Sequence, residues 1–415
     1  MDTITDEAEL FENACILIEA YVNLNTSLYV QPKFHETVVK DVVSLLYNTV
    51  KDVFINTGEC PLDLLKNITE RGLRLFYKHI APARSNGKSF IRRIPIIKNI
   101  QEKIAYLQQV PQPGQRTPEW YEFRYQHLTA SNIWKVFGTD STRNQLIFEK
   151  CQPLNTDKFS AVNIDSPMHW GQKYEPVSIQ LYEAVYKTQV SDFGCIPHKT
   201  IECLAVSPDG INTKENSSRY GRMLEVKNIV NREITGIPKM EYWVQMQVQL
   251  EVCDLNECDF LETRFIEYPD EEAFHLDHAN EKGLMMLFMK KNGQPLYEYA
   301  PLTLTPEDYF QWQEEMMEKN HELNWLKNIY WKLDQLSCVL VLRNKLWFAS
   351  ALPAIRDIWQ TIVIEKKTGY AHRSPKKLNK STTSASASAS AAAASAKYAS
   401  ENLVMPAKCF ITIDI

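Results

Sequence analysis

Apolar residues recur at helical spacing through the first hundred residues, for example at Leu10, Phe11, Ala14, Leu17, Ile18 and Tyr21. That period stacks side chains on one face of a 3.6-residue turn, so a helical region is expected over residues 1 to about 105. Pro111, Pro113 and Gly114 interrupt it. Thr117-Pro118-Glu119 then offers a new helix start, with a hydroxyl able to cap and a proline suited to the first turn. Strand-like runs follow at IECLAVS (201–207), RMLEVKN (222–228) and CDFLETRFIEY (258–268). Between the last two, PKMEYWVQMQVQLEV places Met240, Trp243, Val244, Met246, Gln247 and Leu250 as one side of a helix. Beyond Leu302 the pattern turns helical again, with CVLVLRNKLWF readable as strand or helix. From Ser374 the Ser/Ala-rich stretch has too little apolar bulk for a core and reads as flexible. The expected organisation is a helical region at 1–110, an α/β core at 111–300 and a helical extension at 301–373 packed on the core. A low-complexity segment (374–402) and a tail (403–415) complete it. The core should be a mixed central sheet flanked by helices.

The run MLEVKN, Met223 to Asn228, places an acid and a base on one face of a strand. Side chains alternate along a strand, so Glu225 and Lys227 share a side and Leu224 and Val226 pack on the other. Upstream, SPDG puts Asp209 where an apolar strand ends, with Gly210 as a turn. A hairpin returning through INTKENSSRYG would bring Asp209 beside Glu225. Two carboxylates converging from adjacent strands suit a hard divalent cation such as magnesium. An ammonium beside it can orient a water and stabilise charge building on a phosphate. Taken alone, the same pattern also describes a turn followed by a solvated sheet face with a weak ion pair.

Composition narrows the class. The 415 residues are 44% hydrophobic and 11% aromatic, enough for one large core or two ordinary domains. No run of about 18 apolar residues occurs, and the acidic N-terminus does not resemble a secretory signal, so an intracellular protein without a membrane span is expected. Nine scattered cysteines without a C-x-x-C pair read as reduced thiols. No phosphate-binding glycine loop and no G-x-S-x-G elbow is present, which leaves an ATP-driven, dinucleotide-dependent or serine-hydrolase activity unsupported. The net charge of −5 hides a basic stretch from Arg71 to Lys103, nine Lys and Arg against Glu102 alone, a local +8. It is a solvated face or a polyanion contact.

Asp209, Glu225 and Lys227, with Pro208 before them, resemble the P-D…E-x-K motif of restriction-endonuclease-like nucleases. Four further segments resemble the lambda-exonuclease-like branch that includes the viral alkaline nucleases: TPEWYEFRYQHLTASN (117–132), GQKYEPVSIQLYE (171–183), SPDGI (207–211) and YWVQMQ (242–247). Chain length and the long helical N-terminal region make the baculovirus-type enzymes the nearest likeness. The resemblance implies a restriction-endonuclease-like core in which Asp209, Glu225 and the Val226 carbonyl hold magnesium. A two-ion site is implied, with manganese able to substitute. Lys227 would act on the attacking water, and Glu175 would stand near the second metal. From the residues alone, Pro176 belongs in a first helical turn, so Glu175 is expected at a helix start, as a fixed ligand or as a cap.

The resemblance further implies that Arg124 and Ser131 grip phosphate, with Tyr242 nearby, and that Gln245 supports the catalytic site. Read without it, Arg124 is a surface ion-pair residue, Ser131 or Asn132 a helix cap, and Gln247 and Gln249 ordinary polar positions. With it, the basic stretch, Arg92 and Arg93 included, becomes a backbone contact on duplex DNA. The implied activity is hydrolysis of linear duplex DNA from a 5′ end, with endonuclease action besides and an alkaline optimum, serving viral DNA recombination, replication and genome maturation. A single-strand-binding or annealing protein is the implied partner and the nucleus of the infected cell the implied location. A structure-specific endonuclease or resolvase on the same fold, or an inactive DNA-binding scaffold, is the alternative. His275 and His278 lack an evident third ligand and read as surface residues.

Overall fold

Four helices occupy the described part of the N-terminal region, as the helical period predicts: α1 (Thr3–Leu24), α2 (Phe34–Phe54), α3 (Leu62–His79) and α4 (Pro95–Gln109). Ala14 and Ile18 of α1, Val38 and Val42 of α2, and Leu65 and Ile68 of α3 are buried in a common apolar cluster. The computed structural model describes residues 3–26, 28, 34–54, 62–87, 95–154, 163–305 and 308–374. Residues 1–373 form one unit, and of residues 374–415 only Ser374 is described, so the Ser/Ala-rich segment and the tail lie outside the described residues.

The core begins with α5 (Pro118–Tyr125), β1 (Leu128–Thr129), α6 (Ala130–Ile133), α7 (Asp140–Cys151) and α8 (Pro167–Tyr186). Short strands β2 (Val190–Ser191), β3 (Ile196–Pro197), β4 (Leu204–Val206) and β5 (Gly210–Asn212) lead to β6 (Met223–Asn228) and α9 (Met240–Val252). Then come β7 (Glu257–Glu267), α10 (Glu271–Leu276), β8 (Lys282–Met289), β9 (Pro295–Tyr299), α11 (Tyr309–Lys319), β10 (Asn324–Leu342) and α12 (Lys345–Thr368). Seven strands form one sheet in the order β2-β5-β6-β7-β10-β8-β9, and β1-β4-β3 form a second. In the large sheet β6 runs parallel to β7 and the other pairs are antiparallel, so the fold is the expected mixed α/β arrangement.

Helices cover both faces of the β6–β7 pair. Leu224, Val226 and Leu261 pack with Tyr182 of α8 on one face. Met223 and Phe260 pack with residues of α9 such as Val244 and Val248 on the other. The alternation predicted for MLEVKN is therefore what sets Glu225 against α9.

Three details differ from the sequence reading. The segment 301–373 is more than a helical extension, because β10 lies between β7 and β8 inside the large sheet. Periodicity could not separate strand from helix in the short apolar run at 338–342, which pairs with β7, while β8 pairs with the more polar first half of β10, residues 324–332. Gly210 does not make a turn. It opens β5, where an added Cβ would lie 2.1 Å from Val190 Cγ1 on the neighbouring strand, and the strand that precedes Asp209, β4, belongs to the smaller sheet. Finally, Pro176 is inside α8 rather than in its first turn, so Glu175 sits mid-helix. A proline there disturbs the ladder of the preceding turn. The carbonyls on either side of Gln172, the residue whose helical donor Pro176 removes, take tertiary bonds: Asn228 Nδ2 donates to the Gly171 carbonyl at 2.8 Å and Tyr299 Oη to the Lys173 carbonyl at 2.9 Å.

The seven described cysteines are free thiols, as expected. No described helix is long and apolar enough to cross a membrane.

Candidate active site

β5 and β6 pair antiparallel with Gly210 opposite Leu224. That register carries Asp209, the residue before β5, to the middle of β6, where its Oδ2 accepts the Val226 N–H at 2.8 Å. Glu225 is fully buried. Lys227, two residues along the same face, donates to Glu225 Oε1. The juxtaposition that the P-D…E-x-K spacing suggests is thus formed, through a strand that begins after Asp209 rather than one that ends at it.

From the helix that covers this face, Gln245 Nε2 donates to Glu225 Oε1 at 2.7 Å and Gln249 Nε2 to Glu225 Oε2 at 2.9 Å. Both carboxylate oxygens are therefore held. Gln249 also reaches the Ser207 carbonyl at 3.3 Å, tying β6 to the Ser207-Pro208-Asp209 turn. Sequence reasoning treated Gln249 as an ordinary polar position. The available signal was its spacing of four from Gln245, which places both on one helix face. Gln247 points elsewhere, to the Leu342 carbonyl and the Asn344 N–H. Gln249→Ala strips a donor from two buried acceptors and should cost about 1–3 kcal/mol, read from the midpoint of a urea unfolding curve.

The electrostatics follow from packing acids together. Burial, then repulsion from Glu225 and Glu175, raises the Asp209 carboxyl well above the usual carboxylate range, while Lys227 and the Val226 N–H oppose the rise. Burial likewise raises Glu175, against the pull of Arg116 and Lys227. Burial works against the Lys227 charge, yet Glu225 and Asp209 outweigh it and hold the ammonium above its ordinary value. Glu175 accepts from Arg116 Nη2 at 3.2 Å. Lys227 also lies 5.1 Å from the Tyr242 ring centroid, so Tyr242 flanks this lysine.

Beside this centre, Arg124 Nη2 donates to Ser131 Oγ at 2.9 Å, and its guanidinium lies 4.3 Å from the Trp120 ring centroid. Trp120 Nε1 donates to Ser207 Oγ at 3.0 Å, two residues from Asp209. Arg124, Ser131 and the acidic centre are thereby linked through Trp120. Thr117 caps α5 as expected, and Thr129 with Asn132 forms a capping box at α6, so Ser131 is left outside the cap.

Several described cations of the basic stretch have protein partners. Arg71 pairs with Glu7 at 2.6 Å, Lys103 with Asp254 at 2.8 Å, and Arg84 donates to the Pro238 carbonyl. Arg74 and Lys78 are exposed on α3. Arg92 and Arg93 lie outside the described residues.

Among the described residues no three His, Cys, Asp or Glu side chains close around a common point. The donors at hand are the Asp209 and Glu225 carboxylates with the Val226 carbonyl, and Glu175 at the rim. Such an open set of hard oxygens fits magnesium, which is held by one or two carboxylates and keeps waters or substrate oxygens elsewhere. Burial and the neighbouring Glu225 and Glu175 carboxylates both disfavour the Asp209 charge, and a cation there would offset them.

Residues 119–256 match the family model of the YqaJ-like viral recombinase domain. An uncharacterized protein of Acanthamoeba polyphaga mimivirus is 28% identical over 338 residues, covering 70% of this chain and 59% of the relative, so the chain spans less than two thirds of that relative's length. An alkaline exonuclease from Laribacter hongkongensis aligns over 61% of this chain and 95% of its own, at 18% identity and a TM-score of 0.37. The same exonuclease in complex with dAMP aligns with a TM-score of 0.36. Asp209, Glu225, Lys227 and both supporting glutamines fall inside residues 119–256, the stretch that is similar to the YqaJ-like viral recombinase domain.

Proposed function

We propose that this protein is a metal-dependent deoxyribonuclease that degrades linear double-stranded DNA from a 5′ end, with endonuclease action besides. One observation carries the reading: Asp209 and Glu225 meet from paired strands beside the Lys227 ammonium, and both Glu225 oxygens are fixed by Gln245 and Gln249. Pinned acids with a cation at their side suit hydrolysis of a phosphodiester better than structural support, which needs no such convergence of charge. Magnesium, or manganese in its place, would be held by Asp209, Glu225 and the Val226 carbonyl, with a second ion toward Glu175, and would supply an activated water and charge neutralisation at the phosphate. Lys227, held as an ammonium, orients that water and stabilises charge on the scissile phosphate. Arg124 and Ser131 position the backbone. Their contacts go to phosphates, so little base preference is expected.

In the cell the activity would serve viral DNA recombination, replication and genome maturation in the nucleus of the infected host, with an annealing protein receiving the exposed strand. The deciding assay incubates purified protein with end-labelled linear duplex, closed circles and four-way junctions, with magnesium or with chelator. Release of nucleotides from linear duplex, abolished by chelator, is the expected result. Preference for junctions would favour a structure-specific endonuclease, and tight binding without cleavage under any metal would favour a scaffold.

A further inference from the structure

Three non-glycine residues have positive φ among the described residues: Arg116, Lys187 and Asp254. Two have local reasons. Lys187 is the left-handed cap that ends α8, and Asp254 follows α9 and pairs with Lys103 and Arg343. Arg116, at φ 66°, ends no helix. It stands two residues before α5, where a glycine would be expected from backbone preference alone.

The strand of chain around it is fastened on both sides. Gly194 N donates to Gln112 Oε1 at 2.7 Å and Cys195 N to the Pro113 carbonyl at 3.0 Å. Gln115 Nε2 lies 3.3 Å from the carbonyls of both Phe193 and Pro208, the latter next to Asp209. Thr117 Oγ1 donates to the Gly114 carbonyl at 3.0 Å. Strain of this kind persists only where neighbours impose it, and it concentrates at functional sites. What the strained backbone delivers is the guanidinium, 47% exposed and 3.2 Å from Glu175.

One donor on Nη2 serves Glu175, and a guanidinium carries five. Arg116 precedes α5 and Arg124 lies in its last turn, and the eight residues of the helix span about 12 Å. That is the rise of roughly three to four base steps along one strand. Resting on the nuclease reading above, we propose that Arg116 is a second DNA-phosphate ligand of the active site, which bridges Glu175 and a backbone or terminal phosphate of the strand held by Arg124. Glu175 would orient the guanidinium, and the remaining donors would meet phosphate oxygens in the planar fork geometry that arginine offers.

The test is duplex binding by fluorescence anisotropy in chelator, so that no cleavage occurs, for wild type, Arg116→Gln and Arg116→Gly across a salt series. Glycine accepts the positive φ without strain, and an unchanged circular dichroism spectrum confirms that the variant folds. Both variants should bind about tenfold more weakly, and the slope of log K against log salt should become shallower by about 0.9, the signature of one lost phosphate contact. A loss confined to 5′-phosphorylated duplex identifies a terminal phosphate, and an equal loss on 5′-hydroxyl duplex an internal one. An unchanged slope and affinity, with or without a fall in cleavage, would reduce Arg116 to a partner of Glu175 and overturn the inference, as would a wild type that does not bind duplex. Absence of wild-type cleavage with magnesium would instead sink the nuclease reading, while the salt slope would still decide for Arg116.

Discussion

Glu225→Gln should lower cleavage of linear duplex DNA by on the order of a thousandfold or more while leaving the protein folded. The side chain keeps its volume, so the fully buried position is not emptied. Two things change. The site loses the one carboxylate held at both oxygens, and with it the charge that keeps the Lys227 ammonium in place. Electrostatic support of this kind contributes several kcal/mol to a phosphoryl-type transition state, and each 1.36 kcal/mol is a factor of ten in rate. The new amide also turns an N–H₂ toward groups that are themselves donors, Lys227 and Gln245 at one oxygen or Gln249 at the other. That mismatch should cost about 1–3 kcal/mol of stability. Rates on end-labelled duplex, with anisotropy in chelator as the binding control, separate the two effects. A variant that cleaves within tenfold of wild type would remove Glu225 from the chemistry. Lys227→Ala should lose rate in the same assay and retain DNA binding, because its ammonium faces Glu225 and Asp209 more closely than bulk solvent.

The centre of this site was legible because strand periodicity and a short motif agree. Glu225 and Lys227 share a face for the simple reason that strands alternate, and Asp209 reaches them through a β5–β6 register that three residues of β5 suffice to set. Arg124 and Ser131 were readable only through resemblance, since nothing in F-R-x-x-x-L-T-A-S says that a guanidinium will stack on Trp120 and meet a hydroxyl. Glu175 was placed at a helix start by a rule about proline that tertiary hydrogen bonds from Asn228 and Tyr299 override. Gln249 and Arg116 escaped notice for a related reason. Their roles depend on partners from distant segments, the Ser207 carbonyl and Glu175, that no local pattern encodes. β10 was hidden because its apolar run, residues 338–342, is too short and continuous to show either period, and the rest of the strand is more polar.

Asp259→Ala should destabilise the protein by about 3–5 kcal/mol, the cost of breaking a buried ion pair from one side. Asp259 is 1% exposed and sits opposite Leu224 in the β6–β7 register, on the face that meets α8. It accepts from Arg222 Nη1 at 3.0 Å, from Tyr182 Oη at 2.6 Å and from Arg219. Arg222 is fully buried, and Glu257 at 2.9 Å would be left as its carboxylate partner. Burial works against both guanidinium charges, and Asp259 is the first influence that holds each above its ordinary value. Asp259→Asn, which keeps an acceptor oxygen and the volume, should cost less, about 1.5–3 kcal/mol. Against a total stability of about 5–15 kcal/mol for a domain, the alanine variant is left near its threshold. The network also fastens the segment that leads into β6: Arg222 immediately precedes Met223, and Asn212 at the end of β5 receives Thr188 and donates to Tyr182 Oη and the Arg222 carbonyl. Urea unfolding of the three proteins measures the order, and an alanine variant within about 1 kcal/mol of wild type would refute it. If the network acts only by holding β5 against β6, cleavage by Asp259→Asn measured well below its unfolding midpoint should stay near the wild-type rate, because Asp209 and Glu225 meet from the opposite side of those same two strands.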